Sequence, residues 1–106
     1  MTDKVIVLTS AGSEAEASKI ARALVERKLA ACVNIVPKIQ SVYRWKGEIE
    51  EAEESLLIVK TGRTQQDEVS AAIRELHSYE LPECVVLAID GGSEKYLAWI
   101  TDSLAK

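Results

Sequence analysis

Residues 39–61 read IQSVYRWKGEIEEAEESLLIVKT and hold two of the chain's five aromatic residues, one of its five glycines and its densest acidic run. From Gln40 to Lys46 the residues alternate. Ser41, Tyr43 and Trp45 share one face of an extended strand, and Gln40, Val42, Arg44 and Lys46 share the other. Gly47 supplies a turn. Glu48 to Glu54 favours helix by intrinsic propensity, but the run is short, follows a turn glycine and leads into Leu56-Leu57-Ile58-Val59. It is read as the charged outer half of a long strand. Strands usually run about five or six residues, so this hairpin is too long for a small domain and needs something to lie against. Tyr43 and Trp45 would be an aggregation hazard if left in water, and their residue types are enriched at interface centres. A second copy of the chain is the expected cover.

On the N-terminal side, Lys4 to Ser10 (KVIVLTS) is a continuous apolar, β-branched run, expected as a strand covered on both faces. Ala11-Gly12 breaks it. Ser13 and Glu16 form a capping-box pattern, and Ala17, Ile20, Ala21, Leu24 and Val25 recur at helical spacing, predicting a helix over about 14–28. Leu29 to Val36 reads as a strand ending at Pro37, which marks an edge, a bulge or a break. Beyond the hairpin, Thr64 is the expected cap of a second helix with Val69, Ala72, Ile73 and Leu76 buried. His77-Ser78-Tyr79 closes that helix, and Glu83 to Ile89 (ECVVLAI) reads as another strand. Gly91-Gly92-Ser93 is a turn and N-cap for a last helix that turns Tyr96, Leu97, Ile100 and Leu104 to the core, with Trp99 beside them. The order strand, helix, strand, strand, helix, strand, helix predicts one α+β domain over residues 1–106. Its pattern is the ferredoxin-like split β-α-β sandwich, with a long β2-β3 hairpin and an extra C-terminal helix.

The 106 residues are 47% hydrophobic and 28% charged, as in an ordinary globular protein, and the net charge of −4 argues against a nucleic-acid partner. The N-terminal apolar run, Val5 to Leu8, is too short for a secretory leader, and no run is long enough for a membrane span. Two widely spaced cysteines, Cys32 and Cys84, sit in apolar runs and are expected as reduced core thiols of a cytoplasmic protein. No Gly-rich phosphate loop, GxSxG or HExxH occurs, and no nucleophile–base pair stands out, so an enzyme is not expected. His77, the one histidine, reads either as a helix C-terminal residue favoured by the helix dipole or as a transition-metal ligand. The glutamates at 48, 50, 51, 53 and 54 attract a cation-binding reading. As strand residues, Glu51 and Glu53 face away from Glu50 and Glu54, and a solvated or inter-subunit strand surface is the plainer expectation.

Several stretches together carry a family resemblance: Lys28-Leu-Ala-Ala-Cys-Val-Asn34, Ser41-Val-Tyr-Arg-Trp-Lys-Gly-Glu48, Glu53, Leu57-Ile-Val-Lys-Thr61, His77-Ser-Tyr-Glu-Leu-Pro-Glu83 and Tyr96-Leu-Ala-Trp-Ile100. Over essentially its whole length the chain resembles the CutA divalent-cation tolerance proteins. The resemblance implies a ferredoxin-like subunit similar to the PII signalling proteins, assembled as a tight homotrimer that pairs its long strands across subunits. It also implies tolerance to divalent metals and copper binding, with copper or another divalent cation as a ligand that folding does not require. A histidine implicated in copper binding in some members matches His77. A second histidine that can precede it is Leu76 here, a first-strand cysteine is Thr9, the usual proline after the histidine is Ser78, and the glycine after the strand-ending proline is Lys38.

Two functional expectations follow. The first is a cytoplasmic, trimeric divalent-cation tolerance protein that binds transition metal, copper first, through His77. The alternative is a PII-like small-molecule sensor or interaction module, with an inter-subunit pocket lined by Tyr43, Trp45, Lys60, Glu53 and Tyr79 near His77.

Overall fold

β1 (Lys4–Ala11) lies inside the sheet and sets the two faces of the molecule. In a computed structural model that describes residues 2–106, it is followed by α1 (Glu14–Glu26), β2 (Cys32–Trp45), β3 (Glu48–Gly62), α2 (Gln66–Leu76), β4 (Val85–Ala88) and α3 (Glu94–Ser103). The four strands run in the order β2-β3-β1-β4, each antiparallel to its neighbour. This is the mixed α+β architecture expected, with the long hairpin and C-terminal helix in place.

Because side chains alternate along a strand, the register sorts the sheet into a dry and an open face. Val5, Val7, Thr9 and Ala11 pair with Thr61, Val59, Leu57 and Ser55. With Val33, Ile35 and Val86, the apolar members of this face meet Ile20 and Leu24 of α1 and Val69 and Ile73 of α2. Each fully buried aliphatic side chain there contributes roughly 1.5–3 kcal/mol. On the other face Ile6 and Leu8 pair with Lys60 and Ile58, and with Leu87 and Val85 of β4. α3 reaches that face at Lys60, whose Nζ lies over the Tyr96 ring, while Val85 and Leu87 stay 46% and 47% exposed. The continuous apolar run of β1 therefore has one dry and one half-covered face, where cover on both was expected.

The hairpin is as long as its sequence implied. β2 spans 14 residues and β3 spans 15, including the acidic run Glu48–Glu54. Pro37 does not end β2. The register shifts between Val36 and Ile39, and Lys38 takes a positive φ of 59°, so the proline sits in a bulge. Lys38 thus occupies a left-handed position that favours glycine, the residue expected there by resemblance. At the tip, Lys46 (φ 51°) and Gly47 (φ 84°) form the two-residue loop between paired Trp45 and Glu48, the arrangement of a type I′ turn. The protruding ribbon stretches the molecule to 44 × 25 × 22 Å, and its radius of gyration of 14.2 Å exceeds the roughly 13 Å of a spherical chain this size.

Several local expectations are corrected. α2 begins after a 3-10 turn at Arg63–Gln65, and its N-cap Gln65 makes no side-chain cap; Thr64 instead donates to Gln65 Oε1. β4 is four residues long, which leaves Cys84 outside it and exposed, while Cys32 is half-buried; neither is a core thiol, and both are free. Ile100 of α3 and Leu104 just after it are buried, but Tyr96 is 41% exposed, where the sequence pattern turned it inward. Lys60 Nζ lies 5.7 Å from the Tyr96 ring centroid, within cation–π range.

Candidate functional site

Where the hairpin leaves the sandwich, it meets the segment that joins α2 to β4. α2 ends at His77, whose extended backbone (φ −85°, ψ 144°) turns the chain away from the helix axis. The imidazole folds back to β1, with Nε2 2.5 Å from the Ser10 carbonyl oxygen. Nδ1 accepts from the Tyr79 backbone N–H at 3.1 Å and lies 3.3 Å from Glu16 Oε1. The tautomer protonated on Nε2 satisfies the first two contacts. The side chain is fully enclosed. His77 is therefore a buried cross-link between the end of α2 and the end of β1, which neither reading of it as an isolated helix-terminal residue anticipated.

Glu16 explains part of this arrangement. Ser13 Oγ accepts from the Glu16 backbone N–H at 3.1 Å, which is the expected half of a capping box. The reciprocal half is missing, because the Glu16 carboxylate reaches across to the Ser78 backbone N–H at 3.4 Å. It thus ties α1 to the turn after α2.

Tyr79 stacks 4.6 Å from His77, ring centroid to ring centroid, and points its hydroxyl at the hairpin. That hydroxyl donates to Glu54 Oε2 at 2.7 Å, and Ser10 Oγ approaches the same oxygen at 3.5 Å. Glu54 is only 8% exposed, unlike Glu48, Glu50, Glu51 and Glu53, which remain in solvent. Burial pushes the Tyr79 phenol well above its ordinary value near 10.0, and the hydrogen bond to the Glu54 carboxylate and its charge push in the same direction. The phenol thus stays a donor.

A cavity of about 760 Å³ opens beside this pair, beneath the hairpin. Tyr43, Trp45 and Tyr79 line it with Glu54, Glu80 and Glu83. The volume lies within the range of about 300–1,000 Å³ usual for small-molecule pockets. Three of the five residues expected to share a pocket, Tyr43, Trp45 and Tyr79, meet here within one chain. Glu53 does not, because it pairs with Gln40 on the opposite face of the ribbon from Glu54. Lys60 is six positions beyond Glu54 along β3, about 20 Å away, beside Tyr96. Glu54 and Glu83 were not singled out for this site. The parity of Glu54 with Ala52 and Leu56 was the one available signal, and the run of glutamates around it concealed that signal.

The donor set fits a metal poorly inside one chain. Among the described residues no three His, Cys, Asp or Glu side chains converge as a metal site. His77 and Glu16 are adjacent donors, but the His77 nitrogens are already engaged with backbone groups, and Thr9 and Leu76 bring no further ligand. No helix among the described residues is long and apolar enough to cross a membrane.

The fold and cavity define a ferredoxin-like α+β subunit whose extended hairpin shelters an acidic, aromatic pocket. Residues 5–103 match the family model described as CutA1 divalent ion tolerance protein. The chain belongs to the CutA1 family. It is 46% identical over 98 residues to the divalent-cation tolerance protein CutA of Thermus thermophilus, covering 92% of this chain and 95% of that one. It is 40% identical over 99 residues to a chloroplastic CutA of Arabidopsis thaliana, of which the chain spans only 54%. Among solved structures, the Thermus thermophilus protein superposes with a TM-score of 0.94 at 44% identity, covering 96% of this chain and 99% of that one. CutA from Xylella fastidiosa superposes at 0.96 with 33% identity, covering 98% of this chain and all (100%) of that one. The Thermus thermophilus relative is named for divalent-cation tolerance.

Proposed function

We propose that the protein contributes to divalent-cation tolerance as a cytoplasmic homotrimer that is not an enzyme, binding a divalent transition metal, copper first, at a boundary between copies. One observation carries this reading: the hairpin, the open sheet face and α3 leave Tyr43, Trp45, Val85, Leu87, Tyr96 and Trp99 each 39% or more exposed. So much apolar surface on a small subunit calls for a protein cover. Among the described residues no three ligands converge, so this reading needs donors from a neighbouring copy. His77 is the imidazole to test, and copper suits imidazole. To coordinate, Nδ1 would exchange the Tyr79 amide for the ion, with Glu16 as the neighbouring carboxylate. The free thiols of Cys32 and Cys84 support a reducing compartment, which fractionation of cells would check.

Light scattering at micromolar concentration, with Cu²⁺ calorimetry, tests the proposal on the wild type, Leu87→Glu and His77→Ala. A trimer that binds Cu²⁺, and a Leu87→Glu variant that loses both assembly and binding, are the expected results. A monomeric wild type, or copper binding that survives in a monomeric variant, overturns the reading. An unchanged His77→Ala isotherm removes His77 from the site.

A second reading is favoured by the cavity of about 760 Å³: a PII-like small-molecule sensor or interaction module, with this cavity as one wall of a pocket between subunits. Stabilisation by a metabolite in a thermal-shift screen, lost in Trp45→Leu, would support it.

A further inference from the structure

Resting on the assembly proposed above, we propose that Tyr79 and Ser10 latch the hairpin at Glu54 and so preset its angle for the neighbouring copy. The root of the hairpin has the features of a hinge. β1 ends at Ala11, opposite Ser55, so from Glu54 outward β2 and β3 continue as a two-stranded ribbon. The bulge falls at the same level, since Pro37 and Lys38 sit between the pairs Val36–Leu56 and Ile39–Glu54, where the register shifts. Pro37 has no N–H to give to a ladder. A bulge bends its strand and disrupts the ladder locally, so backbone pairing alone leaves the tilt of the ribbon adjustable. Further out, the ladder bonds and the Arg44 contact with the Gly47 carbonyl oxygen stay within the ribbon.

Glu54, at the inner end of the ribbon, is held from the sandwich. Its Oε2 accepts from the Tyr79 hydroxyl at 2.7 Å, and Ser10 Oγ lies 3.5 Å away. The base of this latch is itself tied down. The Tyr79 N–H donates to His77 Nδ1, His77 Nε2 meets the Ser10 carbonyl oxygen of β1, and the Ser78 N–H donates to Glu16 of α1. A latch positions an arm only when its anchor is fixed, and here β1 and α1 both anchor it. The lever is long. From Glu54 to Glu48 the ribbon runs about 20 Å, so a tilt of about 10° at its root moves the tip by roughly 3.5 Å, one residue's rise along a strand. Tyr43 and Trp45 lie on this arm, and such a shift takes both rings out of register with the copy that covers them. The latch thus acts by pre-organisation, raising the fraction of subunits competent to associate.

Sedimentation of the full chain in a dilution series reads the monomer–trimer midpoint. Subunit exchange between labelled and unlabelled protein gives the same comparison where the trimer is too tight to dilute apart. Losing one net hydrogen bond is worth a factor of about five in an equilibrium. Every copy must be competent, so about fivefold fewer competent subunits weaken the association of three copies about a hundredfold and raise the midpoint concentration about tenfold. Tyr79→Phe and Glu54→Ala should show this shift, with faster exchange. Glu54→Gln keeps an acceptor oxygen for Tyr79 and should stay within about twofold of the wild type. Ile20→Val, in the core beneath α1, lowers subunit stability without removing the latch and should leave the midpoint unchanged. Should Glu54→Ala fail to fold by circular dichroism, Tyr79→Phe and Glu54→Gln carry the test. Equal midpoints in the wild type and Tyr79→Phe, or an equal shift in Ile20→Val, overturn the latch and leave the assembly standing. A shift in Glu54→Gln as large as in Glu54→Ala also overturns it, because charge and not the hydrogen bond then governs association. A wild type that is monomeric at every concentration removes the assembly and this inference together.

Discussion

Leu57 and Ile49 lie on the same strand, β3, and on the same face of it, eight positions apart. Leu57 is fully buried, whereas Ile49 is 66% exposed. The difference is what lies over them. Leu57 sits in the cluster formed with Ile20 and Leu24 of α1, and Ile49 pairs with Arg44 near the hairpin tip, about 26 Å further along the ribbon. One strand thus runs from a sealed core into a region whose hydrophobic residues have no cover of their own. The stability of the fold and its exposed apolar surface are carried by different halves of the same two strands.

The most direct way to break that comparison is to truncate both residues. Leu57→Ala should cost about 2–5 kcal/mol, because the lost contacts leave a cavity beneath α1. Ile49→Ala should change stability by no more than about 0.5 kcal/mol. Urea unfolding of both variants at one protein concentration checks this, since assembly makes apparent stability concentration-dependent. A comparable loss at Ile49 would mean that a second copy covers this face of the hairpin as well as the face carrying Tyr43 and Trp45.

A smaller effect sharpens the description of the sealed half. Thr9 lies on the dry face opposite Leu57, and its Oγ1 is buried without a hydrogen-bond partner. An unsatisfied buried hydroxyl is destabilising, while valine has nearly the same shape. Thr9→Val should therefore stabilise by about 1 kcal/mol, seen as a higher urea midpoint with an unchanged slope. A loss of stability would show that the hydroxyl has a partner such as a buried water.

The two halves were also unequally legible in the sequence. The hairpin announced itself through the alternation about Tyr43 and Trp45, the turn at Gly47 and the length of the run to Thr61, all local signals. The stripe of α1 was equally plain, since Ile20 and Leu24 at helical spacing leave little else to predict. The seam between the halves was not readable. His77 meets Ser10 across 67 positions and Tyr79 meets Glu54 across 25, and neither pairing has a local cue. Glu16 advertised a capping box because its spacing from Ser13 fits one, but the turn at Ser78 offered its carboxylate a competing donor. Cys84 and Tyr96 were misplaced for a related reason. Periodicity shows which residues share a face, whereas their burial depends on what packs there.

The seam itself supplies the last test, because Tyr79 is where the sealed half grips the hairpin. Removing its hydroxyl in Tyr79→Phe deletes the 2.7 Å bond to Glu54 and should cost roughly 1 kcal/mol. The pH dependence gives the sharper readout. The folded-state pKa of Tyr79 is raised above its ordinary 10.0 by burial first and by Glu54 second, so the folded state holds this proton more tightly than the unfolded one. The stabilisation is then fully present below about pH 10 and is lost as the pH rises above it. Wild-type stability should fall more steeply than that of Tyr79→Phe in this alkaline range, with the difference between them constant from pH 6 to 9. Parallel curves above pH 10 would show that the phenol is neither buried nor held by Glu54 in solution.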